Sequence, residues 1–208
     1  MADRHLVLAS ASSGRLGVLR GAGIEPVVRV SGVDEDALAA TLTDATPVEL
    51  VTALAAAKAH AVAMEIATEH PDAVVVGCDS MLHISGELVG KPGCADVALR
   101  RWQAMAGGTG ELITGHAVVR LDQGVGTGTA SGAQSTLIRF SSPSAEEIEA
   151  YVGTGEPLQV AGGFTLDGRG GWFVEGIDGD PSSVIGISLP LTRRLLAEVG
   201  VPVVSLWS

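Results

Sequence analysis

Apolar and polar positions along the first half of the chain follow the periods of strands and helices in turn. The apolar run Leu6-Val7-Leu8-Ala9 is typical of a short buried strand, and small polar residues lead from it into a helix that begins near Ser12 or Ser13. A helical spacing occupies residues 46–69, and the continuous apolar run 74–77 predicts a strand buried on both faces. The first half therefore predicts helices and strands that alternate.

The second half contains more strand-like segments than helical ones. Strands are predicted there at 113–121, 135–140, 164–166 and 172–174, and helices at 144–151 and 189–199; the first half adds a strand at 26–30, a hairpin at 81–84 and 87–89, and a helix at 97–105. The glycine-rich segment 124–132 lacks periodicity and predicts a long turn or an irregular strand, and 31–36 is a polar stretch. Together these patterns predict a mixed-sheet α/β protein.

Composition narrows the class of protein. The 208 residues are 46% hydrophobic, enough for one domain that spans residues 1–208 with a core of Val, Leu, Ile and Ala. A net charge of -11 argues against binding to a nucleic-acid backbone, which requires a basic face. We find neither a signal-peptide core nor an uninterrupted apolar stretch of membrane-spanning length, so we expect a soluble, cytoplasmic protein without a membrane partner. Cys78 and Cys94 are expected to be free thiols.

The turn after the first predicted strand is a candidate phosphate site. Ser10, Ser12 and Arg15 lie in a run of small residues that joins this strand to a helix. Backbone N–H groups, hydroxyls and a guanidinium can converge there on phosphate oxygens. An ordinary helix cap with a solvated arginine is the alternative.

Asp79 follows the buried strand predicted at 74–77, and Lys91 follows twelve residues later in Gly90-Lys91-Pro92. α/β proteins bind ligands where strands end, and an aspartate there can hold a divalent metal or take a proton from an attacking water. A lysine nearby can neutralise phosphate charge. A strand-end aspartate is equally common as a turn residue.

Glu35 belongs to the acidic cluster 34–36, and Lys58 lies inside the long predicted helix. Carboxylates of this kind suit magnesium or manganese, which prefer oxygen ligands. A solvated acidic turn and a surface lysine are the alternative. The five histidines are scattered without the spacing of a zinc helix, so we treat them as incidental, and the chain has neither a P-loop nor a dinucleotide-binding motif.

The order and spacing of these segments resemble the Maf-like family of nucleotide pyrophosphatases, and the resemblance runs along nearly the whole chain. The matching pieces are Leu8-Ala9-Ser10-Ala11-Ser12 with Arg15, Asp34-Glu35, Ala57-Lys58-Ala59, Val76-Gly77-Cys78-Asp79-Ser80, Gly90-Lys91-Pro92, Thr114-Gly115, Tyr151 with Gly155-Glu156-Pro157-Leu158, Ala161-Gly162, and Val184-Ile185-Gly186 with Leu189-Pro190-Leu191.

The resemblance implies an elongated α/β fold similar to that of inosine-triphosphate pyrophosphatases, with two lobes around a deep cleft and often a homodimer. It implies that a nucleoside triphosphate is hydrolysed to its monophosphate and pyrophosphate with Mg²⁺ or Mn²⁺. Residue by residue, it implies that Ser10, Ser12 and Arg15 hold the triphosphate, that Glu35 and Asp79 serve the metal and the water, and that Lys58 and Lys91 stabilise phosphate charge. Asp79 corresponds to the residue usually taken as the proton acceptor.

Departures from the family pattern leave the base open. Many members have Ser-Pro-Arg-Arg where this chain has Ser12-Ser13-Gly14-Arg15. Members that prefer dTTP and UTP have Asp-Lys-Ala-Gly followed by a glutamine. At those positions this chain has Gln159-Val160-Ala161-Gly162 followed by Asp167. A carboxylate at Asp167 only accepts hydrogen bonds, which would favour the N–H donors of guanine, although Asp167 could equally be a solvated turn. Three alternatives stay open: dTTP and UTP, a modified guanine nucleotide, and a nucleotide-binding regulator of cell division. A nonspecific phosphatase would differ by releasing orthophosphate.

Overall fold

A computed structural model describes residues 4–208 and shows an α/β fold. Its strands are β1 (Leu6–Leu8), β2 (Val27–Val28), β3 (Val74–Ile84), β4 (Glu87–Val89), β5 (Thr109–Asp122), β6 (Val125–Phe140) and β7 (Val174–Asp178). Its α-helices are α1 (Ser13–Gly21), α2 (Glu35–Thr41), α3 (Pro47–Ile66), α4 (Ala95–Met105), α5 (Ala145–Gly153), α6 (Pro181–Ile185) and α7 (Leu189–Glu198). Short 3₁₀ helices occupy Glu156–Gln159, Ala161–Gly163, Arg169–Phe173 and Val203–Leu206.

The strands form one mixed sheet in the order β2-β1-β3-β5-β6-β7, with β4 paired to β3. β1 runs parallel to both β2 and β3, whereas β4 pairs antiparallel with β3 and β7 with β6. The mixed-sheet α/β fold predicted from the sequence is therefore confirmed.

The described chain divides into two compact units. The first contains residues 4–79, 114–134 and 186–208, and the second contains 80–113 and 135–185. In the first unit, α3 packs on β1, β3 and β5 through Ala55, Ala59 and Val62. In the second, the buried indole of Trp102 makes edge-to-face contacts with Phe140, Tyr151 and Phe173. That 1–208 is a single domain with a cleft between lobes stays a prediction.

Several predicted boundaries were wrong. The polar stretch 31–36 runs into helix α2, because the Asp34 side chain caps it by accepting from the N–H of Ala37 at 2.9 Å. The glycine-rich segment 124–132 belongs mostly to β6, so of its two predicted alternatives the strand is correct and the long turn is wrong. Residues 164–166 and 172–173 are not strands; 169–173 form a 3₁₀ helix, and β7 begins only at Val174.

Helix α3 determines the geometry of the first unit. Its start has the capping box of Thr46 and Glu49, in agreement with the predicted helix. Strand β3 approaches it so closely at Gly77 that a Cβ there would lie 2.9 Å from the Ala59 backbone nitrogen. By length and composition alone α3 could cross a membrane, although no uninterrupted apolar stretch of that length was predicted, and a core helix of a soluble protein passes the same test.

Candidate active site

The carboxyl end of β1 brings two candidate segments together. The ladder between β1 and β3 ends at the pair Leu8 and Val76, after which the N–H of Ala9 donates to the Val76 carbonyl at 2.8 Å. Ser10 lies two residues past the end of β1, and Asp79 lies three residues beyond Val76 on β3. Ligands commonly bind at this edge of a parallel arrangement of strands.

The sequence predicted that the strand before Asp79 ends at this residue, but strand β3 continues past it. β3 continues to Ile84, because residues 82–84 pair with β4 in the predicted hairpin and so extend the strand. The aspartate nevertheless lies past the end of β1, the neighbouring strand. The prediction that Asp79 lies at the end of its own strand was therefore wrong. Asp79 lies instead beyond the end of the neighbouring strand β1.

The predicted phosphate-binding residues form one hydrogen-bonded cluster at the start of α1. Ser12 caps the helix by accepting from the N–H of Arg15, and the Ser10 hydroxyl accepts from the N–H of Ser12 at 3.2 Å. The Arg15 guanidinium donates from Nη1 to the Ser10 hydroxyl at 2.9 Å and from Nε to the Gly186 carbonyl at 2.9 Å. A helix start, two hydroxyls and an arginine together favour an anionic ligand.

Three of the predicted charged residues, Glu35, Lys58 and Asp79, form one cluster around the Lys58 ammonium group. Lys58 on α3 is almost completely buried, and its Nζ donates to Asp79 Oδ1 at 2.7 Å and lies 2.9 Å from Glu35 Oε1. The side chains of Lys58 and Asp79 are 8% and 9% exposed, whereas that of Glu35, at the start of α2, is 45% exposed. The alternative interpretation of Lys58 as an ordinary surface lysine is therefore wrong.

Burial makes the Asp79 carboxylate more basic than an ordinary aspartate. Loss of solvent raises its pKa above the usual value, and although the Lys58 charge and hydrogen bond and the Arg15 charge lower it, the net shift is upward. Glu35 adds a small increase. A raised pKa suits a group that accepts a proton from water near neutral pH. The positive charge of Arg15 also acts on Asp79, which links the two clusters electrostatically.

Of the two cysteines, only Cys78 is next to a candidate residue of this site. Both are free thiols, as predicted. Cys78 is adjacent to Asp79 but fully buried, and burial raises the pKa of its thiol to about 11. Because the thiolate is the reactive form, burial disfavours reaction of Cys78 at neutral pH.

The remaining candidates, Lys91 and Asp167, belong to the second unit. Both residues are exposed, Lys91 just after β4 and Asp167 in a bend before the 3₁₀ helix Arg169–Phe173. The second unit also has a cavity of about 660 Å³ next to α5, whose lining includes Tyr151, Arg169 and Trp172 but none of the candidate residues. The roles of Lys91 and Asp167 stay predictions.

Among residues 4–208, no group of three or more His, Cys, Asp or Glu side chains could hold a metal by itself. The donor set present is the pair Glu35 and Asp79, held around one ammonium. Mg²⁺ is commonly bound by one or two carboxylates together with phosphate oxygens and water. The pair therefore fits a metal that arrives with a phosphate ligand.

Sequence reasoning missed one contributor, the backbone carbonyl of Gly186 that accepts from Arg15. A main-chain oxygen has no signature of its own in a sequence. Its only signal was the segment Val184-Ile185-Gly186, noted because it matched the family and not for any chemistry of its own.

Comparison with known proteins gives consistent matches over the whole chain. The nucleoside triphosphate pyrophosphatase of Saccharopolyspora erythraea is 67% identical over 204 residues, which cover 98% of this chain and 97% of that protein. Proteins of the same name from Rhodococcus jostii and Nocardia farcinica are 61% and 60% identical, covering 97% of this chain and 95% and 96% of theirs. The family model described as Maf-like protein matches residues 5–199. The chain therefore belongs to the Maf-like family.

Proposed function

We propose that this chain is a metal-dependent nucleoside triphosphate pyrophosphatase, which hydrolyses its substrate to the nucleoside monophosphate and pyrophosphate. The observation that carries the proposal is the buried Lys58 ammonium between Asp79 and Glu35, within electrostatic reach of Arg15. Burying charges is costly, so a constellation of this kind at a sheet edge favours a functional role. The name shared by the relatives supports the same reaction.

In this proposal the substrate's phosphates bind at the start of α1. Ser10, Ser12 and Arg15 hold the triphosphate, and Lys58 and Lys91 stabilise its charge. Asp79 accepts a proton from a water that attacks the α-phosphorus, the bond from the α-phosphorus to the bridging oxygen breaks, and pyrophosphate leaves opposite the attacking oxygen. The raised pKa of Asp79 matches that role, because a more basic carboxylate takes the proton more readily.

Glu35 and Asp79 would hold the metal, Mg²⁺ or Mn²⁺. When bound, such an ion lowers the charge on the phosphates and favours deprotonation of water. One oxygen of Asp79 accepts from Lys58, and a carboxylate has a second oxygen that can serve as a ligand.

The choice of base depends on whether Asp167 contacts it. If the exposed Asp167 contacts the base, its carboxylate accepts hydrogen bonds from guanine and disfavours the carbonyl-rich edge of thymine or uracil. The proposed substrates are therefore a modified guanine nucleotide or, if Asp167 does not reach the base, dTTP and UTP. We further propose a cytoplasmic homodimer that limits the incorporation of modified nucleotides and binds neither nucleic acid nor a membrane.

The test is a panel of ordinary and modified nucleoside triphosphates incubated with Mg²⁺ or Mn²⁺, with pyrophosphate and orthophosphate counted separately. We expect pyrophosphate from one class of base, and a loss of about 10³-fold or more in kcat with little change in KM for Asp79→Asn. Glu25→Gln, the loss of a carboxylate in an exposed ion pair, is the matched control and should leave turnover unchanged.

Each alternative has its own outcome. Near-normal turnover in Asp79→Asn would remove the proposed mechanism. Release of orthophosphate would indicate a nonspecific phosphatase. Tight binding of triphosphates without turnover would favour a nucleotide-binding regulator.

A further inference from the structure

We propose that His116 is a positioning residue that orients Arg15 through the backbone of residues 186–188. The inference rests on the proposed function, because it assigns His116 a part in binding the triphosphate. It concerns a histidine that the sequence pattern alone marks as incidental. All of the residues involved belong to the first unit.

The hydrogen bonds of His116 determine which ring nitrogen carries the proton. The side chain is completely buried on β5; Nδ1 lies 3.0 Å from the Thr114 carbonyl, and the backbone N–H of Ser188 donates to Nε2 at 2.7 Å. A carbonyl only accepts and a backbone N–H only donates. The ring is therefore neutral with its proton on Nδ1, and Nε2 must remain an acceptor.

The bond to Ser188 replaces one that other helices in this chain make locally. In α3 and α5 the backbone N–H of the capping residue donates to a glutamate three residues later, as for Thr46 and Glu49 at 2.8 Å. Ser188 caps α7, but the residue three positions later is Leu191, which cannot accept. His116 supplies the acceptor instead, so the backbone N–H of Ser188 is bonded to strand β5 and not to a side chain of α7.

The segment held in this way contacts Arg15 directly. Two residues before Ser188, the Gly186 carbonyl accepts from Arg15 Nε at 2.9 Å. Gly186 has a φ of 126°, and a Cβ there would lie 3.1 Å from Arg15 Nε and 3.2 Å from its Cγ. The backbone thus packs against the arginine side chain, and a shift of residues 186–188 must change where the guanidinium points.

The experiment compares His116→Leu, which removes both hydrogen bonds, with His116→Gln, whose amide oxygen can still accept from Ser188. The control is His60→Leu, the same change at an exposed histidine of α3. On the triphosphate that the wild type hydrolyses, we expect His116→Leu to raise KM and the inhibition constant of pyrophosphate about tenfold, with kcat within about twofold. His116→Gln should lie much closer to the wild type.

An Arg15→Lys background separates positioning from general destabilisation. Lysine has no Nε–H for the Gly186 carbonyl, so His116→Leu should there change KM by less than about twofold. An equal tenfold effect in both backgrounds would overturn the inference, as would an unchanged KM in His116→Leu.

A second readout does not depend on activity. The Arg15 Nε–H resonance, assigned by its loss in Arg15→Lys, should move in the NMR spectrum of His116→Leu and keep its position in His116→Gln and His60→Leu. If His116→Leu does not fold, His116→Asn takes its place, because its short amide can bond Thr114 but not reach Ser188. Absence of turnover in the wild type would refute the proposed function, whereas an unmoved Arg15 resonance would refute the role of His116.

Discussion

Replacing Lys58 by methionine tests whether the buried charges behave as the structure implies. The substitution keeps the length of the side chain but leaves Asp79, whose side chain is 9% exposed, without its partner. Removing one member of a buried pair costs about 3–5 kcal/mol, because the remaining charge loses its hydrogen-bonded counterion and has little contact with water. Glu35 is 45% exposed and adds little. At about 2–4 °C per kcal/mol for a chain of this size, we expect Tm to fall by about 10 °C.

The loss should depend on pH. Burial already raises the pKa of Asp79, and without the lowering effect of Lys58 it rises further. A carboxyl with a higher pKa in the folded state than in the unfolded state stabilises the fold below its unfolded pKa of about 3.9, and this contribution is lost as the pH rises through the folded pKa. Lys58→Met should therefore be near wild-type stability at low pH and show its full deficit at pH 8.

Urea unfolding followed by circular dichroism at the two pH values measures the difference. The control is Arg20→Met, which breaks a shorter ion pair to Glu25 of 2.6 Å whose side chains are 55% and 59% exposed, and which should change stability little. The double variant Lys58→Met with Asp79→Asn should recover most of the loss. A deficit in Lys58→Met no larger than in Arg20→Met, or one that Asp79→Asn does not relieve, would refute the reasoning.

Three further predictions concern packing, metal and base. Gly77→Ala should lower the free energy of unfolding, measured in urea, by about 1–3 kcal/mol, because the added Cβ meets the α3 backbone. The control Gly17→Ala, which has open space around the added Cβ, should raise it by about 0.5–1 kcal/mol. Equal effects would contradict the close contact of β3 and α3. Glu35→Gln should raise the Mg²⁺ concentration for half-maximal turnover about tenfold with Tm nearly unchanged, and an unaltered metal requirement would remove Glu35 from the metal site. Asp167→Asn should shift the ratio of kcat/KM between guanine and uracil triphosphates about tenfold, and a constant ratio would show that Asp167 does not contact the base.

Local patterns in the sequence were sufficient for most of the elements around the site. The Ser12 cap of α1, the capping boxes of α3 and α5 and the hairpin of β3 and β4 are all local signals, in which residues three or four apart determine the structure. Helix α2 was not predicted because it has only seven residues and none of them is buried, so the sequence shows no apolar face there.

The sequence by itself determined the mixed-sheet fold class, the family, and the identity of the charged candidates. Only the tertiary structure showed that Lys58 is buried between Asp79 and Glu35, since these three residues come from α3, β3 and α2. The same holds for Gly186 and His116, whose contacts with Arg15 and Ser188 join residues 171 and 72 positions apart. Side-chain periodicity describes which face of an element is apolar, whereas the pairing of distant polar groups depends on how the elements pack, and that information is not present in any local pattern.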